Sequence, residues 1–305
     1  MKKLTTTFIM GLLLSFNQAY AQDFNKKFGE LFSKGDTIGQ LQLLQKWEKA
    51  KNDDPELYVA YFNYYVNKSK KELITLGNTP KGEIVFQIMD KDSTVKEPVG
   101  YIYDETYYDK EFLGKGLTFI DKGIERYPSR LDMRFGKVYV FGLIKDYAKF
   151  TDEIIKTIDY SAKIDNKWVW TENTPVEDPE KFLLSTVQKY VLQIYNTEDD
   201  TLLDNMKAIA EAVLKQNPNH VESLSNLSIV YMLKKEYDKA LEALLKAEKI
   251  DGKDYIVLSN IAQAYKLKGK CQKAIKYYEK VLKYGDDQSK EYAKQQIELL
   301  KKMEK

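Results

Sequence analysis

The chain has 305 residues, with 48 Lys and Arg against 46 Asp and Glu, and it contains only one His and one Cys. A nearly neutral chain lacks the basic surface with which a general nucleic-acid binder neutralises phosphates, so nucleic acid is not expected as a partner. One His and one Cys leave no internal disulfide and little material for a Ser-His pair, a Cys-His pair or a zinc site. The composition favours a non-catalytic protein without metal or cofactor, although an enzyme that acts through Asp and Glu alone stays open.

The N-terminus has the pattern of a bacterial signal peptide. Two lysines at positions 2 and 3 precede an apolar core at residues 8–16, and Ala19-Tyr20-Ala21 offers the small residues that signal peptidase requires. The apolar core is too short to span a bilayer, and no other segment reaches about 18 apolar residues. Residues 1–21 are therefore predicted to be a signal peptide cleaved near Ala21, which implies export to the periplasm or the medium without a membrane span. The alternative is a buried first helix.

Helices of irregular spacing are predicted through residues 22–200. One start signal is an Asp followed by Pro, as at Asp54 and Asp178, where Asp caps the helix and Pro takes its first position. Another is a capping box from Ser129 to Asp132. Together with a proline at position 218, these signals predict helices at residues 58–67, 131–144, 182–195 and 202–216.

One stretch departs from the helical period. Residues 83–89 and 99–103 are rich in β-branched and aromatic side chains that alternate with other residues, and polar residues 90–94 separate them. They predict a β-hairpin at residues 73–104, inserted between two helices, to which Leu73–Leu76 can add a third strand. Such an insertion either shapes a binding surface or is an ornament at one edge, and the sequence leaves both open.

The C-terminal third contains an internal repeat of 34 residues. Small residues recur at two positions, where paired antiparallel helices approach each other, and large residues recur where they fill the space between. The first set is Leu224, Leu227, Ser228, Tyr231, Ala240, Leu244 and Ala247, and the second is Leu258, Ile261, Ala262, Tyr265, Ala274, Tyr278 and Val281. This spacing resembles that of the tetratricopeptide repeat family over residues 221–285.

The resemblance implies an all-α fold, a tetratricopeptide-like solenoid of about five helical hairpins with a small inserted β-hairpin. Residues 201–288 are assigned to the regular tetratricopeptide repeats, and residues 289–305 to a C-terminal capping helix that covers the last apolar face. Upstream, Gly116 and Gly123 keep the spacing of the family's small positions. Residues 22–200 are accordingly assigned to divergent repeats.

In this family the first helix of each hairpin lines a concave groove that binds a protein or peptide. A sub-family grips a terminal carboxylate with five Lys, Arg and Asn positions. Asn260, Lys290 and Lys294 fit three of them, but Ser225 and Ile229 depart from the other two, which argues against such a clamp. The groove residues implied by the resemblance are Glu222, Ser225, Ile229, Gln263, Lys266, Lys290 and Lys294.

Several polar and aromatic residues lie outside the periodic pattern. Trp168 and Trp170 occur in an irregular stretch and are candidate aromatic contacts for a partner. His220 is expected to be a solvated turn residue, and Cys271 a partly buried small apolar residue. The leading hypothesis is an exported, non-catalytic scaffold or adaptor that holds a protein or peptide in its groove. The alternative is a glycan- or nutrient-binding accessory protein of the cell envelope that uses the two tryptophans.

Overall fold

A computed structural model of the protein describes residues 23–80, 84–91 and 96–303. The predicted signal peptide at residues 1–21 lies outside the described residues. Within them the chain forms thirteen α-helices and one three-stranded sheet, so the predicted all-α fold with a small β-insertion is confirmed. None of these helices is both long enough and apolar enough to cross a bilayer.

The elements follow one another in a simple order along the chain. Helices α1 (residues 23–33), α2 (Thr37–Ala50) and α3 (Pro55–Ser69) lead into strands β1 (Lys70–Gly77), β2 (Val85–Ile88) and β3 (Gly100–Tyr108). The remaining helices are α4 (Lys110–Arg126), α5 (Leu131–Leu143), α6 (Tyr147–Lys163), α7 (Pro179–Tyr195), α8 (Leu203–Gln216), α9 (Val221–Leu233), α10 (Tyr237–Ile250), α11 (Tyr255–Leu267), α12 (Cys271–Tyr284) and α13 (Asp287–Met303).

The described residues cluster into two compact units. Unit 1 comprises the residues up to Lys145 together with Val169–Thr174, and unit 2 comprises Asp146–Trp168 and Pro175–Lys305. The chain therefore leaves unit 1 for α6, returns to it for one short segment, and then continues in unit 2. The predicted boundary at residue 200 is of another kind, because it separates regular from divergent repeats by their sequence signatures. The division into compact units does not test it, so it stays a prediction.

In unit 1 the closest helix packing joins α3 to α4. Two glycines of α4 make this approach possible, as their spacing suggests. A Cβ atom at Gly123 would lie 3.0 Å from both Met133 Sδ and Tyr58 Cβ, and one at Gly116 would lie 3.3 Å from the backbone oxygen of Phe62. Larger residues at either place would push the two helices apart.

The three strands of unit 1 form an antiparallel sheet in the order β1-β3-β2. The predicted hairpin is β2 with β3, and the optional third strand is real and longer than predicted, because β1 begins directly after α3 at Lys70. Its register places Leu76 opposite Ile102, which in turn lies opposite Phe86. The sheet thus joins α3 to α4 and has two edge strands, β1 and β2.

The regular repeats of unit 2 pack as their 34-residue spacing predicts. Leu224 on α9 and Leu258 on α11 occupy equivalent buried positions. The small residues predicted at the close approaches between helices are all fully buried, at 0 % exposure: Ser228, Ala240, Ala262 and Ala274. Helix α13 then packs over Tyr278 and Val281 of α12, which is the role predicted for a C-terminal cap.

The helix starts were predicted with mixed success. Asp54 caps α3 by accepting a hydrogen bond from the backbone N–H of Glu56 at 3.1 Å. The capping box at Ser129 was wrong, because α5 begins after Arg130 without a side-chain cap. Asp132, the acidic residue of that box, instead accepts a hydrogen bond from Arg130 Nε at 2.8 Å. Asp178 does precede α7, but it has a left-handed backbone conformation and its side chain caps nothing.

Candidate functional site

The first helices of unit 2, namely α7, α9 and α11, together with α13, are tied side by side through polar side chains. We call the surface that they share the first-helix face. The amides of Gln188 and Asn226 exchange two hydrogen bonds of 2.6 and 3.3 Å, which join α7 to α9. Asn260 Nδ2 donates to Ser225 Oγ at 2.9 Å and so joins α11 to α9. At the far end, Lys266 Nζ of α11 donates to Gln296 Oε1 of α13 at 2.6 Å.

A pocket of about 600 Å³ opens between α7 and the start of α9. Its lining includes Lys181, Leu184, Gln188 and Lys189 on α7, with His220 and Glu222 at the start of α9. Lys181, Leu184 and Gln188 follow one another at intervals of three and four residues, so they share one helical face, which Lys189 adjoins. The pocket therefore combines one apolar side chain, Leu184, with charges of both signs.

The charged groups of the pocket differ in how far they are already engaged. Glu180 accepts a hydrogen bond from Asn217 Nδ2, which holds it against the turn before α9. Lys181 and Lys189 are exposed and form no ion pair with any described residue. Glu222 is also exposed, and its Oε2 lies 3.3 Å from His220 Nε2. The two lysines and Glu222 are thus the charges most available to a partner.

His220 caps helix α9. Its Nδ1 accepts a hydrogen bond from the backbone N–H of Ser223 at 3.3 Å, and Ser223 Oγ lies 2.9 Å from the same nitrogen. Burial lowers the pKa of His220 below its ordinary value, while nearby Glu222 and Glu180 act in the opposite direction. The expectation of a solvated turn residue was therefore wrong. The contact with Ser223 is a cap and not a nucleophile with its base, because that serine is 3 % exposed.

The predicted groove residues on α9 lie on the first-helix face, but they are not equally free. Glu222 is exposed and lines the pocket. Ser225 is buried at 8 % exposure, and its hydroxyl accepts the hydrogen bond from Asn260. It is therefore a tie between helices, which corrects its prediction as a partner contact. Ile229 is half-buried.

The predicted groove residues on α11 and α13 show the same division. Gln263 is half-buried, and its Oε1 accepts a hydrogen bond from the hydroxyl of Tyr278 at 3.1 Å. Lys266 is held by α13 through its bond to Gln296. Lys290 is half-buried, whereas Lys294 is exposed and only loosely paired, at 3.8 Å from Glu291. The assignment of these helices to a groove stays a prediction, and several of the chosen side chains hold the helices to each other.

The two candidate tryptophans are packing residues to different degrees. Trp168 in unit 2 is 2 % exposed, and its indole N–H donates to Ser161 Oγ at 2.7 Å. It therefore cannot present its ring to a partner, which corrects that prediction. Trp170 in unit 1 is half-buried and meets Phe135 edge to face, with ring centroids 6.4 Å apart.

Sequence reasoning missed the contribution of α7 to the pocket. The cause is the spacing: Gln188 lies 38 residues before its partner Asn226, so the 34-residue offset does not align them. The available signal was the helical period itself, because Lys181, Leu184 and Gln188 follow one another at intervals of three and four residues.

Residues 221–254 and 256–284 match the family model described as Tetratricopeptide repeat. A search of curated protein sequences finds no significant match.

Among solved structures, similarity is found to YrrB, described as a TPR protein with an unusual peptide-binding site. It has 15 % identity and a TM-score of 0.41, covering 83 % of this chain and 97 % of that one. PilW, a type IV pilus biogenesis factor, has 9 % identity and a TM-score of 0.39, covering 90 % and 98 %. SycD, a type III secretion chaperone of Yersinia enterocolitica solved with a peptide of the translocator YopD, has 15 % identity and a TM-score of 0.35, covering 40 % and 95 %. The prediction of tetratricopeptide repeats is confirmed by the family match, for residues 221–254 and 256–284.

Proposed function

We propose that this chain is an exported, non-catalytic scaffold or adaptor that binds a protein or peptide on its first-helix face. The observation that carries the proposal is the pocket of about 600 Å³ between α7 and α9. It lies on the surface that the tetratricopeptide resemblance assigns to partner binding. Leu184 offers an apolar contact, while Lys181, Lys189 and Glu222 offer charges that a partner can pair with.

The dimensions of the face suit an extended segment of polypeptide. Neighbouring helix axes lie about 8–10 Å apart, so four first helices side by side span roughly 25–30 Å. An extended chain covers this distance with about eight or nine residues. Ser225, Gln263 and Lys266 are engaged in hydrogen bonds within the protein. The partner would therefore contact the side chains around these three residues.

The proposal is tested with peptides selected for binding. A displayed library of random nine-residue peptides is selected against the protein, and the dissociation constant of each enriched peptide is measured by fluorescence polarisation. Leu184→Asp removes the apolar contact and Lys189→Glu reverses a free charge, so each should weaken binding at least tenfold. The control Lys246→Glu changes an exposed lysine on the second helix α10 and should leave the dissociation constant unchanged.

Peptides that bind equally well to both pocket variants would contradict the proposal. So would saturable binding of sugars without any peptide binding, which is the outcome that the glycan-binding alternative requires. That alternative has lost one of its two aromatic contacts, because Trp168 is buried. Nothing among the described residues favours it over the first-helix face.

Export is the part of the proposal that depends on the first 21 residues alone. If the segment is a cleaved signal peptide, the protein recovered from a Gram-negative host should begin at Gln22 and be found outside the cytoplasm. Intact-mass measurement of the fractionated protein decides this. A full-length chain that retains its N-terminal residues and stays in the cytoplasm would refute export while leaving the peptide-binding test untouched.

A further inference from the structure

The inserted sheet of unit 1 has one face that is strongly apolar and exposed. Residues that are opposite one another in an antiparallel sheet point to the same face, and every second residue along a strand shares it. The register therefore brings together two rows across the sheet. These rows are Ile74–Asp104–Ile84 and Leu76–Ile102–Phe86, and we call this surface the apolar sheet face.

The exposure of the apolar sheet face is unusual for a folded domain. Ile74 is 85 % exposed, Leu76 70 %, Phe86 63 % and Ile84 59 %. A three-stranded sheet normally gains its stability by burying one apolar face against another element. On the opposite face Tyr103 is 6 % exposed, although Leu73 there is 51 % exposed, so that face is covered at its centre. Nothing among the described residues covers the apolar sheet face to a similar extent.

We propose that the apolar sheet face is an interface between two copies of this chain. Its four most exposed side chains present on the order of 500 Å², which is near the upper end for the largest apolar patch of a monomer. Two such faces in contact would bury about 1,000 Å², the minimum expected of a specific interface. Sheets pack face to face readily, at a separation of roughly 10 Å.

The charges around the face favour a second copy over a bilayer. Two carboxylates lie on this face: Asp104 between Ile74 and Ile84, and Glu72 nearer the helices, where it pairs with Lys70 at 2.6 Å. Carboxylates there disfavour docking on an anionic lipid surface. The whole chain has a formal charge of only +2, so two copies meet without strong mutual repulsion. Asp104 brings a hydrogen-bond partner of its own into this interface, because its carboxylate accepts a hydrogen bond from the backbone N–H of Ile84 at 2.8 Å.

The oligomeric state of the protein tests this inference. Sedimentation equilibrium over a range of concentrations up to about 100 μM should show a monomer–dimer equilibrium for the unaltered protein. Ile74→Asp should raise the dimer dissociation constant at least tenfold, because it places a charge in the interface. Ile38→Asp is the matched control, since Ile38 is 72 % exposed on α2 and belongs to none of the three strands, and the change should leave dimerisation intact.

A second variant keeps the test valid if the first one fails to fold. Phe86→Asp alters a different strand of the same face and should also dissociate the dimer, with unchanged circular dichroism as the check on folding. An unaltered protein that stays monomeric throughout, including one that binds lipid vesicles or a foreign protein through this face, overturns the inference. A dimer that survives both substitutions overturns it equally. Because the sheet lies in unit 1, neither result bears on peptide binding by the first-helix face.

Discussion

At the scale of single residues, His220 has the most informative environment. A histidine can cap a helix through Nδ1 only while that nitrogen carries no proton, because the nitrogen must accept the backbone N–H of Ser223. Protonation would turn the acceptor into a donor and place a positive charge at the positive end of the helix dipole. Glu222 and Glu180 offset part of this cost, but burial dominates and lowers the pKa of His220.

This environment predicts a pH-dependent stability of unit 2. The ordinary pKa of 6.5 applies to the unfolded chain, and the folded value is lower. The unfolded state therefore binds more protons in acid, so the contribution of His220 to stability is complete above about pH 6.5 and is lost as the pH falls toward the folded value. His220→Asn keeps a good capping group without titrating, and it should match the unaltered protein at pH 7 within a few tenths of a kcal/mol.

The measurement is urea-induced unfolding of both proteins at pH 7 and pH 5. The unaltered protein should lose more of its free energy of unfolding than the asparagine variant does. His220→Ala should already be less stable at pH 7, by about 1 kcal/mol, since it has no capping group. Equal pH dependence in the unaltered protein and the asparagine variant would show that the cap does not depend on the protonation of His220.

At the scale of elements, the packing of α4 against α3 depends on the absence of a side chain at one position. Gly123 lies against Met133 and Tyr58, whereas Gly114 on the same helix has no neighbouring heavy atom within 4 Å. Gly123→Leu should lower the free energy of unfolding by about 1–3 kcal/mol through overpacking. Gly114→Leu should raise it by roughly 0.5–1 kcal/mol, because leucine favours the helix and meets no obstacle.

Thermal and urea unfolding of the two glycine variants measure both effects in one helix. Opposite signs for the two substitutions are the expected result. If both variants were destabilised equally, leucine would be unfavourable anywhere in α4. The close approach of α3 would then not explain the loss of stability in Gly123→Leu.

The elements also show what the sequence could and could not predict. The packing of α9 to α12 was predictable because Leu224 and Leu258 repeat a local pattern of large and small residues. The sheet was predictable because β-branched and aromatic side chains alternate with other residues along its strands, with a period of two. The pairing of α7 with α9 and the burial of Trp168 were not, because they depend on contacts between segments with no common spacing. Ser225 was misassigned because a polar residue on a predicted groove can equally serve the neighbouring helix.

At the scale of the whole molecule, one buried charge cluster joins distant parts of the chain within unit 1. Arg130 is 0 % exposed and donates to Glu56 Oε1 at 2.7 Å and to Asp132 Oδ1 at 2.8 Å. Glu56 Oε1 also accepts the backbone N–H of Glu172 at 2.8 Å, which fixes the segment that returns to unit 1. Burial opposes the charge on Arg130, but the hydrogen bonds to Asp132 and Glu56 outweigh it, and its pKa is raised.

This cluster predicts a large effect from the loss of one carboxylate. Glu56→Ala leaves the buried guanidinium with half of its partners and the N–H of Glu172 without its acceptor, so it should lower the free energy of unfolding by about 3–5 kcal/mol. Glu111→Ala breaks an ion pair of similar length with Lys115, but both side chains are exposed, so its effect on the free energy of unfolding should be far smaller than that of Glu56→Ala. Urea unfolding followed by tryptophan fluorescence measures both, since Trp47 is buried beside Asp54 in the same unit. Similar small costs for both variants would mean that the cluster holds no long-range contact in place, and that unit 1 is stabilised by its apolar core alone.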